Sequence, residues 1–285
     1  MNLNYRLLAL DMDGTALNTS KEITPKTAEA IRAALAAGYE VLFCTGRNLV
    51  EMRKELALFP EMRYAVCCSG AVVKDLKTGE ALSMTTLDYD LAKRVIQAAA
   101  GMDVHIVYFI GDELYADRTV RGRMEHYNCQ CFHDLYESCA TWMEDPGYML
   151  ERMPENIRKI NLFFHDAEEY RRMGELLDEM GVNHPSGIPL NYEISPGGVS
   201  KAAGLEVLCR HLGLSMEQVI ACGDEGNDLS MIQAAGLGVA MGNASSSIKA
   251  AADVIVADCD HDGVAEVIET YLGKPILKKM EDDIL

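Results

Sequence analysis

The chain has 285 residues, of which 49% are hydrophobic and 25% charged, with a formal charge of −18. These proportions are ordinary for a soluble globular protein, and the length admits one large domain or two smaller ones. The negative charge argues against non-specific binding to nucleic-acid polymers or anionic membranes, which attract Lys and Arg. Small anionic substrates stay open, because a bound cation reverses the field inside one cleft.

The first element is the apolar run Leu7-Leu8-Ala9-Leu10, too short for a helix and read as a buried strand. It ends in Asp11-Met12-Asp13-Gly14-Thr15. Alternation along an extended chain aims Asp11 and Asp13 at one side. Two such charges repel by roughly 4 kcal/mol at an effective dielectric near 20. A divalent cation, a proton on one acid, or both must offset this, unless the pair is an ordinary Asp-Gly turn. Thr24-Pro25 then opens a helix carrying Ala28, Ile31 and Leu35, closed by Gly38. The run Tyr39–Cys44 predicts a second strand leading to Thr45-Gly46-Arg47, followed by a helix over about Leu49–Leu58 and a strand at Tyr64–Cys68. Strands alternating with helices predict a parallel sheet with crossover connections.

From about Leu82 the pattern changes. A helix over Asp88–Ala100 precedes strands Val104–Ile110 and Glu113–Ala116, joined across Gly111-Asp112 and therefore antiparallel. A strand near Ile157–Phe164 and a helix over Ala167–Met180 complete what reads as an inserted α+β module. The segment His184–Pro196 reads as the return to the first domain. Ser200-Lys201 opens an amphipathic helix, and Val219–Cys222 is a buried strand ending in Gly223-Asp224-Glu225-Gly226-Asn227-Asp228. A helix over Leu229–Ala235, the stretch Gly238–Asn243, a helix near Ser246–Ala251, a strand at Val254–Val256 and a helix at Val264–Leu272 follow. Lys278–Leu285 reads as a frayed acidic end.

Each strand end carries groups with chemical use. Asp11 suits attack on phosphorus, and Asp13 suits proton transfer. Thr45 and Gly46 offer a hydroxyl and an unencumbered N–H to phosphate oxygens, or simply cap a helix. Lys201 sits where its charge opposes the helix dipole, which makes better sense if it faces an anion. The acids after Val219–Cys222, joined to Asp11 and Asp13, make a hard oxygen cage suited to Mg²⁺. The expected direct ligands are Asp11, Asp224 and the Asp13 backbone carbonyl, with Asp228 as a further contact and Asn227 as a phosphate donor. Cys129-Gln130-Cys131-Phe132-His133 lacks the paired spacing of a zinc motif.

Together these four motifs, in this order, resemble those of the haloacid dehalogenase (HAD) superfamily of phosphatases. The insertion of about 110 residues, the Gly-Asp-x-x-Asn-Asp form of the last motif and the stretch Asn191–Lys201 resemble its Cof-type subfamily, with the large α/β (C2B) cap. The resemblance implies a Rossmann-like, doubly wound parallel α/β core (residues 1–82 and 194–285) with an inserted cap at 83–193 that chooses the substrate. It implies a Mg²⁺-dependent phosphatase acting on sugar phosphates, nucleotides or cofactor phosphates through an aspartyl-phosphate. Asp11 would be the nucleophile and Asp13 the acid/base. Met12 (through its N–H), Thr45, Gly46, Lys201 and Asn227 would bind phosphate, and Asp11, Asp13, Asp224 and Asp228 would hold metal. Ser69 stands where the resemblance leads to Asn. Phosphomutase activity or phospho-ligand sensing are the alternative readings.

An odd count of nine cysteines, with Cys44, Cys67, Cys68 and Cys222 in apolar runs, suits free thiols in a reducing cytoplasm. No apolar run approaches the roughly 18 residues that span a bilayer. The opening Met-Asn-Leu-Asn-Tyr-Arg lacks a signal-peptide pattern, so a cytoplasmic location is expected.

Overall fold

Short apolar runs alternating with amphipathic helices dictate the architecture. The computed structural model describes residues 5–182, 184 and 188–272, and the chain forms two compact units. The first holds the described residues of Met1–Gly46, Arg53–Met84 and Ser200–Leu285, and the second those of Arg47–Met52 and Thr85–Val199.

Strand β1 (Leu7–Leu10) exposes none of its four side chains. Burying each leucine contributes about 1.5–3 kcal/mol, which fixes this run in the interior. Helix α1 (Pro25–Ala36) starts as its sequence dictates, with Thr24 Oγ1 accepting from the Thr27 N–H at 3.2 Å and Ala28 and Ile31 facing inward. Strand β2 (Glu40–Cys44), helix α2 (Arg53–Leu56) and strand β3 (Tyr64–Cys67) follow. The single helix predicted near Leu49–Leu58 is instead a 3₁₀ turn, Leu49–Met52, before the short α2. That turn belongs to the second unit, where Val50 packs with Phe109, Leu114 and Tyr136. After β3 the chain reverses through Cys68, Ser69 and Gly70, all at positive φ. It continues as an antiparallel hairpin, β4 (Val72–Asp75) and β5 (Ala81–Met84), that the parallel pattern did not predict. Asp75 Oδ1 holds its turn by accepting from the N–H groups of Lys77 and Thr78.

The second unit contains α3 (Tyr89–Ala99), β6 (Val104–Ile110), β7 (Glu113–Asp117), α4 (His133–Cys139), β8 (Ala140–Met143), α5 (Tyr148–Arg152), β9 (Ile157–Phe164), α6 (Ala167–Met180) and β10 (Asn191–Ile194). Its sheet runs β10-β9-β6-β7-β8, antiparallel except for β8, which lies parallel to β7. Every residue of β9 is buried, because both faces are covered. Ile160, Leu162 and Phe164 pack against Val95 and Leu177 of the helices, while Phe163 joins Val107, Phe109, Tyr127 and Tyr136 on the other face. The units part after Met84 and Val199, against 82 and 193 expected from the sequence. The later limit reflects β10, which pairs with β9 instead of returning to the first sheet. Pro185 and Gly187 of the expected return segment lie outside the described residues.

The chain resumes the first unit with α7 (Lys201–Leu212), β11 (Val219–Gly223), α8 (Leu229–Ala234), β12 (Leu237–Ala240), α9 (Ser246–Ala251), β13 (Val254–Ile255) and α10 (Gly263–Val267). A π-helical turn, Ile268–Leu272, follows; the acidic end at Lys278–Leu285 lies outside the described residues. The sheet order is β13-β12-β11-β1-β2-β3-β4-β5, parallel from β13 to β3. This is the doubly wound α/β core, with a hairpin added at one edge. The order reverses at β1, so the carboxyl end of β1 is a topological switch point, where such sheets bind ligands. Among the described residues no helix is long and apolar enough to cross a membrane.

Candidate active site

Asp11 follows β1 and donates its N–H to Cys222 O at 3.0 Å, which ties it to β11. The extended chain stops there. The Ala16 N–H returns to Asp11 O, and those of Thr15 and Leu17 to Met12 O. The regular strand therefore does not carry through to Asp13, which lies in a turn bridged to Leu17. Asp11 is buried, whereas Asp13 is partly exposed, with Oδ1 2.8 Å from Lys21 Nζ. The carboxylates of the metal-competent group are those of Asp11, Asp224 and Asp228, and the Asp13 side chain is not in it. The Met12 side chain is buried.

Lys201 is the first residue of α7, whose cap is Ser200. Its side chain is wholly buried, with Nζ 2.5 Å from Asp11 Oδ1 and 2.6 Å from Asp228 Oδ1. Asp228 is equally enclosed, and its Oδ2 accepts from the N–H groups of Asp224 (2.9 Å) and Glu225 (3.0 Å). Asp224 Oδ1 accepts from Thr15 Oγ1 at 2.8 Å and its Oδ2 from Asn243 Nδ2 at 3.3 Å. Asn243 Nδ2 also donates to Gly14 O, and its Oδ1 accepts from the Cys259 N–H. Sequence reasoning gave Thr15 and Asn243 no role. Their signal was position alone, each lying just beyond a strand end of the first sheet.

Glycine is required at two points in this shell. Gly14 has φ +82°, and a Cβ there would lie 2.3 Å from Asp224 Oδ2. A Cβ on Gly223 would lie 2.4 Å from Asp228 Cγ. Gly46 is less tight, its Cβ position lying 3.4 Å from Ser69 Oγ and 3.6 Å from Asn227 Nδ2. Thr45 is buried beside it; its N–H binds Val66 O and its carbonyl accepts from the Ser69 N–H. Thr45, Gly46, Ser69 and Asn227 thus form a second polar group of the same unit.

Three carboxylates are buried together, and two of them, Asp11 and Asp228, share one ammonium. Burial first, then the charge of Asp228, pushes Asp11 up to about 8, against the pull of Lys201. Burial also raises Asp224 to about 6, opposed by the Thr15 hydrogen bond. Burial alone would lower Lys201, but Asp11 and Asp228 outweigh it and keep the ammonium charged. The donor set suits Mg²⁺: hard oxygens within 4.8 Å of one another, carrying more negative charge than Lys201 neutralises. Cys129 is buried and Cys131 exposed, and among the described residues neither belongs to such a group.

A buried Asp–Lys–Asp network at the switch point of a doubly wound sheet defines a class, and comparison with known proteins agrees. Residues 8–268 match the family of haloacid dehalogenase-like hydrolases, so the chain belongs to that family and is a hydrolase of its Cof type. It is 28% identical to the pyridoxal phosphate phosphatase YbhA of Escherichia coli, over 95% of this chain and 100% of that one. It is 30% identical to the 5-amino-6-(5-phospho-D-ribitylamino)uracil phosphatase YcsE of Bacillus subtilis, over 95% of this chain and 97% of the relative. A crystal structure of a haloacid dehalogenase-like hydrolase from Bacteroides thetaiotaomicron superposes with a TM-score of 0.83 at 29% identity, covering 93% of this chain and 98% of the other.

Proposed function

We propose that the chain is a Mg²⁺-dependent phosphatase of small phosphorylated metabolites that works through an aspartyl-phosphate on Asp11. The observation that carries this reading is the buried Asp11–Lys201–Asp228 network with Asp224 beside it. Asp11 attacks phosphorus, and Asp13 gives a proton to the leaving oxygen and later takes one from water. Thr45, Lys201, Asn227 and the N–H groups of Met12 and Gly46 hold the phosphoryl oxygens, with charge arranged in advance of the reaction. Asp11, Asp224 and the Asp13 carbonyl would hold Mg²⁺, and Asp228, engaged by Lys201 and two backbone N–H groups, would steady them from behind. Mg²⁺ would neutralise phosphoryl charge there.

In this reading the first unit carries the chemistry and the second selects the organic part of the substrate. Sugar phosphates, nucleotides and cofactor phosphates are the substrate class, and the relatives' names add pyridoxal phosphate and a ribityl phosphate to the compounds to try. Cys44, Cys129, Cys209, Cys222 and Cys259 are buried free thiols, which supports a reducing, cytoplasmic setting. The test is release of inorganic phosphate from p-nitrophenyl phosphate and such a panel, with and without Mg²⁺. Metal-dependent turnover that vanishes in Asp11→Asn is expected. Turnover that survives Asp11→Asn or chelation would overturn the mechanism.

A further inference from the structure

The turn after Asp13 holds a lysine outside the catalytic set. Lys21 adopts φ +59°, a left-handed conformation that non-glycine residues rarely take and that carries a steric cost. The turn is well anchored. Asn18 N–H binds Glu22 O, the Lys21 N–H binds Asn18 O, and Asn18 Oδ1 accepts from the Glu22 N–H. Thr19 gives both its N–H (2.9 Å) and its hydroxyl (2.8 Å) to Asp260 Oδ1, and Thr24 gives its hydroxyl to Asp262. From this support the Lys21 ammonium reaches Asp13 Oδ1 at 2.8 Å. The backbone of Asp13 is fixed as well, by a bridge to Leu17.

Stability does not account for the arrangement. The side chains of Lys21 and Asp13 are 59% and 41% exposed, and ion pairs so exposed contribute little to folding. A glycine or asparagine would adopt the turn more readily. What Lys21 adds is a cation on one oxygen of Asp13.

We propose that Lys21 is a positioning residue for Asp13: it takes Oδ1 and so fixes the rotation of the carboxyl group that delivers a proton to the leaving oxygen. This rests on the phosphatase reading. In the step concerned the Asp11–phosphorus bond forms as the phosphorus–oxygen ester bond breaks, and the proton of Asp13 passes to the departing oxygen. An alkoxide needs that proton as it leaves, whereas p-nitrophenolate departs without it. Misorienting Asp13 therefore penalises alkyl esters selectively.

The experiment compares kcat/KM for an alkyl phosphate, such as a sugar phosphate from the panel, with that for p-nitrophenyl phosphate. It uses wild type, Lys21→Met, Lys21→Arg and Lys21→Asn. Asparagine accepts the left-handed backbone without reaching Asp13, so it keeps the test independent of the turn's folding. In Lys21→Met and Lys21→Asn the ratio of alkyl to aryl kcat/KM is expected to fall about tenfold, part of the roughly 10²–10⁴ that general acid catalysis supplies, and Lys21→Arg should restore it. An unchanged ratio, or an equal loss for both esters, would overturn the role of Lys21 while leaving the phosphatase reading intact. A wild type inert toward every ester would overturn that reading and this one with it.

Discussion

Asp228→Asn is nearly isosteric and removes one charge from the centre of the buried network. Asp228 Oδ1 accepts from Lys201 Nζ, and Oδ2 accepts from two backbone N–H groups. An amide offers only one acceptor oxygen. Whichever way it turns, its NH₂ meets either the ammonium or the two N–H donors. Losing the charged hydrogen bond costs about 1.5–3 kcal/mol, and stranding a buried backbone donor about 1–3 kcal/mol. Together these match the roughly 3–5 kcal/mol typical of breaking a buried ion pair from one side. Lys201 keeps Asp11, which favours the lower end. At about 2–4 °C per kcal/mol for a unit of this size, the midpoint should fall by about 6–12 °C. The assay is thermal unfolding followed by far-ultraviolet circular dichroism in chelator. The single tryptophan, Trp142, lies in the second unit, and its fluorescence gives an internal reference. A midpoint within about 1 °C of wild type would refute the reasoning.

Three further outcomes are expected. Excess Mg²⁺ should raise the midpoint, by the equivalent of about 2.7 kcal/mol at a hundred times its dissociation constant, and Asp224→Asn should abolish that rise; calorimetry with and without the ion decides it. Gly14→Ala puts a methyl group 2.3 Å from Asp224 Oδ2 at a left-handed position, and should cost about 1–3 kcal/mol in urea unfolding together with most of the Mg²⁺ response; a variant as stable and responsive as wild type would refute the fit. His105 is buried between Phe163 and Tyr127 with neither ring nitrogen hydrogen-bonded, and burial lowers its pKa from 6.5 to about 4. The unfolded chain takes up that proton first, so this contribution is complete above pH 6.5. It is lost as pH falls toward 4, by about 3 kcal/mol in all. His105→Phe should flatten the loss across that window, and an unchanged slope in acid unfolding would count against it.

The parts of the site that are legible in the sequence are those tied to strand ends. Four or five apolar residues in a row mark a buried parallel strand, so the pattern alone puts Asp11, Thr45 and Asp224 at one sheet edge. Lys201 is legible as an electrostatic oddity, a cation at a helix start. Asp13 is less legible, because period-two alternation presumes extended chain and the backbone coils immediately after Asp11. Thr15 and Asn243 escape notice because their partner is Asp224, 209 and 19 residues away, and no local pattern encodes such pairing. The turn at Leu49–Met52 looks like an ordinary helix start, and only the packing of Val50 assigns it to the second unit. Strand β8 is short and partly exposed, so its parallel pairing with β7 leaves no apolar run to read.

The pairing of β1 with β11 also bears on how the chain is made. Leu7 finds Glu40 early, but its other neighbour, Val219, follows about 210 residues later. Ribosomes add roughly 5–20 residues per second, so for roughly 10–40 s one edge of β1 has no strand to bind. Every residue of the second unit has emerged by Val199, so the insertion can be complete before its host sheet is. A nascent chain arrested before Val219 would carry bare N–H and C=O groups along its most apolar strand, a template for pairing with other chains. Interrupted translation is therefore a stress under which this protein should aggregate.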